Sequence, residues 1–200
     1  MKLYDAPPSG NCHKARLLLS MLKVPYETVV IALGKKEQKT PDYLAKNPLG
    51  QVPLLEDDGY FVHDSQAILV YLAKKYGKGD WLPNGARGMG EVMQWVVFAA
   101  NEVAAGPRAA RGMARGDKKD GLPALQAKAK DVLKTLDDHL KSREWLACGR
   151  PTIGDIACYP YTALSGEAGI TMGDYPNVQK WIRRVEALPG YVAGQGLPAA

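Results

Sequence analysis

A hydroxyl and an amide side chain lie two positions apart near the start of the chain, at Ser9 and Asn11. They follow a short strand pattern and precede a helical pattern, in a loop-like segment that opens with Pro7-Pro8. In open α/β sheets, ligands collect at the carboxyl ends of strands and at helix N-termini, where N–H groups are unsatisfied and the helix dipole is positive. The pattern therefore predicts a place that can hold an anion such as a thiolate. The alternative is that Ser9, Asn11 or both cap the helix, and the two roles are compatible.

A second candidate feature is the backbone beside the proline in Gln51-Val52-Pro53-Leu54-Leu55. Proline cannot donate a ladder hydrogen bond, so we expect it where a strand starts, with the backbone of Val52 left unpaired and facing outward. An acid–serine pair, Asp64-Ser65, stands in front of the apolar run 67–72 and predicts a helix N-terminus. A free backbone edge beside a helix N-terminus suits a small peptide with a carboxylate and an amine.

The elements that must position these residues follow the order β-α-β-α-β-β-α in the first half of the chain. A strand, a crossover helix and a strand imply a parallel pair, and a closing hairpin adds antiparallel strands. We predict strands at 2–4 and 26–33, helices at 14–23 and 41–45, a hairpin over 51–62 that turns at 56–59, and a helix from Ser65.

The second half has only helical patterns after a glycine-rich stretch at 77–90. We predict helices at 91–105, 122–140 and 176–188, and a further helix opened by Thr152 and Asp155, which have capping-box spacing. Gly106-Pro107 is expected to bend the first of them. The prediction is therefore an α/β domain at 1–77, a linker at 78–89 and an all-helical domain at 90–200.

Composition excludes several functional classes. Of 200 residues, 46% are hydrophobic and 24% are charged, which is ordinary for a globular protein. The net charge of +5 comes from scattered bases without interleaved aromatic residues, so we expect a solvated surface and no nucleic-acid binding. We expect no signal peptide and no transmembrane segment, because no apolar run is long enough.

The three cysteines, Cys12, Cys148 and Cys158, are an odd number without C-x-x-C spacing. This argues against a disulfide framework or a zinc site and for a reducing compartment, so we expect a cytoplasmic protein. No pair of histidines has metal-ligand spacing, and no metal site is predicted. We expect Cys12 to be a buried or half-buried thiol and leave a redox role open.

Taken together, four motifs resemble the glutathione transferase family across nearly the whole chain: Ser9-Gly10-Asn11, 47–53, 64–68 and 152–155. The resemblance implies a thioredoxin-like α/β N-terminal domain and an all-α C-terminal helical bundle domain. The Ser9/Asn11 segment, with His13-Lys14 after it, is most similar to the bacterial nu class and related serine-type members. Nu-class enzymes show glutathione-dependent disulfide-bond reductase activity.

The resemblance also implies residue roles. Ser9 would donate a hydrogen bond to the glutathione sulfur with the help of Asn11, which makes these two the expected catalytic residues. The backbone of Val52 would pair with the cysteinyl segment, exposed by a cis Pro53. Ser65 would take the γ-glutamyl carboxylate at the helix N-terminus.

Three more positions complete the implied glutathione-binding set. Asp64 would stand near the γ-glutamyl amine, and Gln38 and Gln51 match positions that often contact the tripeptide. Glutathione would be a co-substrate, with no covalently bound cofactor, and the other substrate a hydrophobic electrophile or a disulfide. The family also implies a homodimer without nucleic-acid or membrane partners.

Two functions stay open on these residues. The first is an enzyme that transfers alkyl or aryl groups to glutathione, with disulfide reductase or peroxidase activity as an extension. The second is a glutathione-binding or scaffold protein without catalysis. In the helical half we expect Trp95 and Phe98 in the core and Arg108 and Arg111 at the surface, and we leave open that an arginine reaches the cleft.

Overall fold

The computed structural model describes residues 1–197. A four-stranded sheet with interleaved helices forms the first half of the chain, and helices alone form the second half. In the first half, strands β1 to β4 and helices α1 to α3 occur in the predicted order: β1 Lys2–Asp5, α1 Gly10–Met21, β2 Glu27–Val30, α2 Pro41–Leu44, β3 Leu54–Asp57, β4 Tyr60–His63 and α3 Ser65–Tyr76. Short 3₁₀ turns, Leu33–Lys35 and Glu37–Lys39, precede α2.

The sheet has the strand order β2-β1-β3-β4. As predicted, β1 and β2 are parallel, and β1, β3 and β4 are antiparallel in succession. Alternate residues of a strand point to opposite faces. Leu3 and Leu55 face a core formed with α1 and α3, whereas Tyr4 and Leu54 face a smaller cluster with Tyr43 of α2.

The second half is helical, as predicted. It comprises α4 Ala86–Phe98, a π-helical stretch Ala99–Arg108, α5 Ala109–Ala114, α6 Leu122–Leu140, α7 Ile153–Ala163 and α8 Pro176–Glu186, with 3₁₀ turns at Leu164–Ala168 and Met172–Asp174. Helix α7 packs against both α1 and α3, so it joins the halves. Residues 198–200 of the predicted helical domain lie outside the described part of the chain.

Several helices and strands begin or end at residues other than those predicted. Helix α1 begins at Gly10, so Asn11 lies in its first turn and not in a loop. Strand β2 ends at Val30, well short of the predicted end at residue 33. Helix α4 begins at Ala86, so residues 86–89 of the predicted linker form its first turn.

The predicted bend at Gly106-Pro107 does not end the helix, which continues through the π-helical stretch into α5. Proline removes an N–H donor and its ring crowds the preceding turn, and a wider π turn relieves both conflicts. Gly106 also lies against α6, where an added Cβ would be 3.1 Å from Cα of Ala129. The helix therefore continues, in close contact with α6, through the place where the sequence analysis expected a bend.

The predicted capping box at the start of α7 is confirmed. Thr152 accepts the backbone N–H of Gly154, and the Asp155 carboxylate accepts the N–H of Thr152 at 2.9 Å. The same carboxylate, which is buried, also accepts the indole N–H of Trp181 at 2.9 Å and the backbone N–H of Leu146 at 3.0 Å. Asp155 therefore links α7 to α8 and to the segment before α7.

Candidate active site

Three chain segments meet at one edge of the sheet. Tyr4 of β1 pairs with Leu54 of β3, and Leu54 pairs with His63 of β4. Strand β1 ends at this edge, β3 starts there and β4 ends there. The segment after β1, the Val52-Pro53 peptide and Asp64 are consequently neighbours, although they are far apart in the sequence.

Ser9 lies at the N-terminus of α1 as its N-cap residue. Its Oγ accepts the backbone N–H of Cys12 at 3.3 Å, and its side chain is half-buried. Asn11 is half-buried one residue inside the helix. The capping role that the sequence analysis left open is therefore present at Ser9. Because the hydroxyl uses only a lone pair for the cap, its proton is available to another acceptor.

The Val52-Pro53 peptide bond is cis. Two side-chain hydrogen bonds anchor the backbone of the residue before it. The carbonyl of Gln51 accepts the Tyr43 hydroxyl at 2.7 Å and the Asn47 side-chain amide at 2.8 Å. The Gln51 side chain is exposed and Val52 is half-buried. These bonds fix the backbone just before β3 at the edge where the segments meet.

Asp64 and Ser65 form the N-terminus of α3. The Asp64 carboxylate accepts the backbone N–H of Gln66 at 2.8 Å, and Asp64 has a φ of 69°. Ser65 is buried, and its hydroxyl donates to the side-chain carbonyl of Gln66. The Asp64 side chain is exposed, whereas Ser65 is buried.

Gln38 lies in the second 3₁₀ turn, Glu37–Lys39. Its Oε1 is buried and has no hydrogen-bond partner among residues 1–197. The carbonyl of Gln38 lies next to Gly50, where an added Cβ would be 2.7 Å away. An acceptor without a donor in this position is suited to a ligand N–H.

Cys12 is buried, as the sequence analysis expected. Its side chain is 0% exposed, and its Sγ accepts the backbone N–H of Ala6 at 3.4 Å. Burial raises the pKa of the Cys12 thiol to about 12. Cys12 is therefore a protonated core residue at neutral pH.

The helical half contributes Tyr161 of α7 to the site. Its ring covers the start of α1, where a Cβ added at Gly10 would lie 2.9 Å from the ring. Burial raises the pKa of Tyr161, and the charge of Arg108 and the backbone N–H of Asn11 act in the opposite direction. The sequence pattern did not single out Tyr161, because its contact with Gly10 depends on the packing of α7 against α1.

Lys14, on the second turn of α1, is the buried cation of the site and was not predicted. It is 1% exposed, and its Nζ lies 5.6 Å from the centroid of the Tyr161 ring. In the described part of the chain it has neither an ion pair nor a hydrogen bond. Burial lowers the pKa of Lys14 to about 8, a shift that the charge of Asp64 reduces and that of Arg108 increases.

Arg108 and Arg111 behave differently from each other. Arg108 is exposed, as predicted, but Arg111 is 7% exposed, so its predicted surface position is wrong. Its Nε donates to the Glu167 carboxylate at 2.8 Å, which compensates the burial of its charge. Both arginines line a cleft of about 820 Å³ that they share with Tyr161.

A second cavity, of about 620 Å³, lies between α4, α6 and the segment before α7. Trp95, His139 and Cys148 line it together with nearby residues of the helical half. None of the predicted glutathione-binding residues contributes to its wall. Within residues 1–197, no group of histidine, cysteine and acidic side chains is placed to hold a metal ion, and no helix is long and apolar enough to cross a bilayer.

Comparisons with known proteins agree with this geometry. The family model "Glutathione S-transferase, N-terminal domain" matches residues 1–74, and "Glutathione S-transferase, C-terminal domain" matches residues 95–189. Glutathione S-transferase GstB of Escherichia coli (strain K12) is 31% identical over 199 residues, covering 94% of this chain and 93% of the relative. Disulfide-bond oxidoreductase YfcG of the same strain is 28% identical over 207 residues, covering 98% and 93%. A crystal structure of a possible glutathione S-transferase from Rhodopseudomonas palustris superposes with a TM-score of 0.90 at 35% identity, covering 100% of this chain and 91% of that one.

Proposed function

The chain belongs to the glutathione S-transferase family, and from that premise we propose that it binds glutathione at the edge where Ser9, Val52-Pro53 and Asp64 meet. There it stabilises the thiolate, which attacks an electrophile or a disulfide. The observation that carries this proposal is the register Tyr4–Leu54–His63, because it brings two helix N-termini and the cis Val52-Pro53 peptide to one place.

We assign the sulfur to Ser9 and Asn11. The Ser9 hydroxyl keeps its proton while its oxygen caps α1, so it donates to the thiolate without losing the cap. A free thiol has a pKa of about 8.5, and lowering that value by about two units takes about 2.7 kcal/mol. A charge-assisted hydrogen bond and the positive end of the α1 dipole supply energy of this order.

We assign the peptide part of glutathione to the other predicted residues. The Val52 backbone, beside Pro53, pairs with the cysteinyl segment. The N-terminus of α3 at Ser65 takes the γ-glutamyl carboxylate, and Asp64 takes the amine. We propose that the Oε1 of Gln38, which has no hydrogen-bond partner among residues 1–197, and the exposed side chain of Gln51 contact the rest of the tripeptide.

Disulfide reduction is a second candidate activity, supported by the 28% identical disulfide-bond oxidoreductase. The thiolate of one glutathione would attack a disulfide sulfur, forming a mixed disulfide and releasing a thiolate that takes up a proton. A second glutathione would then release the other thiol and leave glutathione disulfide. The sulfur must come from glutathione, because Cys12 is buried and protonated.

The test combines binding and turnover. Glutathione is titrated into the native protein by calorimetry, and conjugation of 1-chloro-2,4-dinitrobenzene and reduction of bis(2-hydroxyethyl) disulfide are measured. We expect binding, and at least tenfold slower turnover after Ser9→Ala with Asn11→Ala; that loss corresponds to about 1.4 kcal/mol. Ser142→Ala, an exposed serine away from this edge, is the matched control.

The outcomes separate the alternatives. Absence of binding at millimolar glutathione would overturn the proposal. Binding without turnover of either substrate would instead favour the glutathione-binding scaffold. Turnover unaffected by the double substitution would refute the assignment of the sulfur to Ser9 and Asn11.

We also propose the division into residues 1–77, 78–89 and 90–200, with the linker overlapping the first turn of α4, and a homodimer. Exposed apolar side chains in both halves support the dimer: Leu49 and Tyr60 in the first and Val97 in the second. Sedimentation of the native protein tests it. A cytoplasmic location is supported by three cysteines without disulfide bonds.

A further inference from the structure

The cleft that Arg108 and Arg111 share with Tyr161, here called the arginine cleft, adjoins the Ser9 segment. It is lined by residues between 108 and 118 and by Leu125 and Tyr161, and its volume of about 820 Å³ is within the range of small-molecule pockets. Tyr161 connects the two places, because the same ring covers Gly10 and lines the cleft. A molecule in this cleft would therefore share the Tyr161 ring as a wall with the N-terminus of α1.

Arg111 is incompletely paired for a buried charge. Its Nε is bound to Glu167, but the NH2 nitrogen is buried and has no acceptor among residues 1–197. A guanidinium offers five N–H donors in a planar fork. Leaving a buried donor of a charged group unsatisfied is costly, so this nitrogen is suited to an acceptor that arrives with a ligand.

The charges around the cleft are unbalanced. Arg108 and Lys118 line it beside Arg111, with Asp117 as the opposing charge in the lining. Glu167 is already engaged, since one of its oxygens lies 2.8 Å from Nε of Arg111 and 3.6 Å from a guanidinium nitrogen of Arg115. Two carboxylates thus face four cations, which leaves the cleft positive.

The remaining wall is apolar. Met113, Leu125 and the ring of Tyr161 contribute hydrophobic surface to the same cleft. The combination suits a molecule with an aromatic or aliphatic body and an anionic group, and a planar carboxylate matches the guanidinium fork.

We propose that the arginine cleft binds the carboxylate of the second substrate, so that the enzyme favours electrophiles or disulfides that carry a carboxylate on an apolar body. This inference rests on the proposed function and specifies its substrate class. Arg111 is the main contact, and Arg108, exposed at the cleft, adds attraction.

The test compares two glutathione conjugates that differ by one carboxylate. S-(4-carboxy-2,6-dinitrophenyl)glutathione and S-(2,6-dinitrophenyl)glutathione are titrated into the native protein by calorimetry, with glutathione alone as the reference. We expect the carboxylate conjugate to bind about tenfold more tightly, as for a hydrogen bond to a charged group. Arg111→Gln should abolish that preference, and Arg108→Gln should reduce it by about threefold, a typical effect of an exposed charge.

Controls keep the outcome unambiguous. Arg183→Gln, at an exposed arginine of α8, should keep the full preference. If Arg111→Gln does not fold because Glu167 loses its shorter ion pair, Arg108→Gln decides. Equal affinity of the native protein for both conjugates, or an unchanged preference in folded Arg108→Gln and Arg111→Gln, would overturn the inference. Failure of glutathione itself to bind would instead overturn the proposed function.

Discussion

Replacing Lys14 by methionine should stabilise this protein near neutral pH. The ammonium is 1% exposed, and among the described residues it has no ion pair or hydrogen bond. The Tyr161 ring, 5.6 Å from Nζ, is the contact that compensates its charge in part. Methionine has a similar length and no charge, so it fills the same space without the desolvation penalty.

The magnitude follows from the pKa of Lys14. Burial lowers that pKa from 10.5 to about 8, and at 1.36 kcal/mol per pKa unit this corresponds to about 3 kcal/mol. Between pH 8 and 10.5 the unfolded chain binds the proton and the folded protein does not, so the stability of the native protein rises with pH in this window. The advantage of Lys14→Met is therefore complete below about pH 8 and disappears as the pH approaches 10.5.

The assay is urea unfolding of the native protein and of Lys14→Met at a fixed protein concentration between pH 7 and 10.5. The difference in the free energy of unfolding removes the contribution of all other titrating groups that the two proteins share. Lys130→Met, at an exposed lysine of α6, should show no such pH-dependent difference. A difference that stays constant over this range, or a Lys14→Met protein that is less stable at pH 7, would refute the reasoning.

Three more predictions concern single side chains. Ser9→Gly and Ser9→Ala should both raise the pKa of bound glutathione by about one unit, seen as thiolate absorbance. Only Ser9→Ala should also lose about 1 kcal/mol of stability, because glycine is nearly as good an N-cap as serine. An unchanged pKa of the bound glutathione thiol would contradict the assignment of the sulfur to Ser9. Asp155→Ala should cost about 3–5 kcal/mol in urea unfolding, since three N–H donors lose a buried acceptor, and a loss below about 1 kcal/mol would show that the site relaxes. A thiol reagent at pH 8 should label Cys148 in the native protein but Cys12 and Cys158 only after unfolding, because both are 0% exposed and burial raises their pKa values; native labelling of more than one thiol per chain would contradict this.

Features decided by neighbouring residues were predictable. The turn at Asp58-Gly59, the capping box of Thr152 and Asp155, and the helix Leu122–Leu140 all occur where the sequence analysis expected them. Each depends on backbone groups within a few positions, so a local pattern contains the physical cause. The edge where the segments meet depends instead on pairing between strands that are distant in the sequence, which no local pattern contains.

Features decided by contact between the halves were not predictable. Arg111 resembles a surface residue in its own helix, and only the position of Glu167 and of the turn that carries it makes burial possible. Likewise, the π-helical stretch around Pro107 depends on the close approach of α6 to Gly106. A pattern within a single helix cannot report the shape of the element that packs against it.

The start of α1 shows how the two kinds of information combine. Local sequence places Ser9 at the helix N-terminus, but the ring that covers the next residue belongs to Tyr161, 152 positions after Ser9 in the chain. A Cβ at position 10 would lie 2.9 Å from that ring, which is closer than carbon atoms approach, so glycine lets the ring sit directly on the helix. Any larger residue there would push α7 away from α1, and with it the wall that the Ser9 segment shares with the arginine cleft. The glycine between the two proposed catalytic residues thus links the proposed sulfur site to the proposed site of the second substrate.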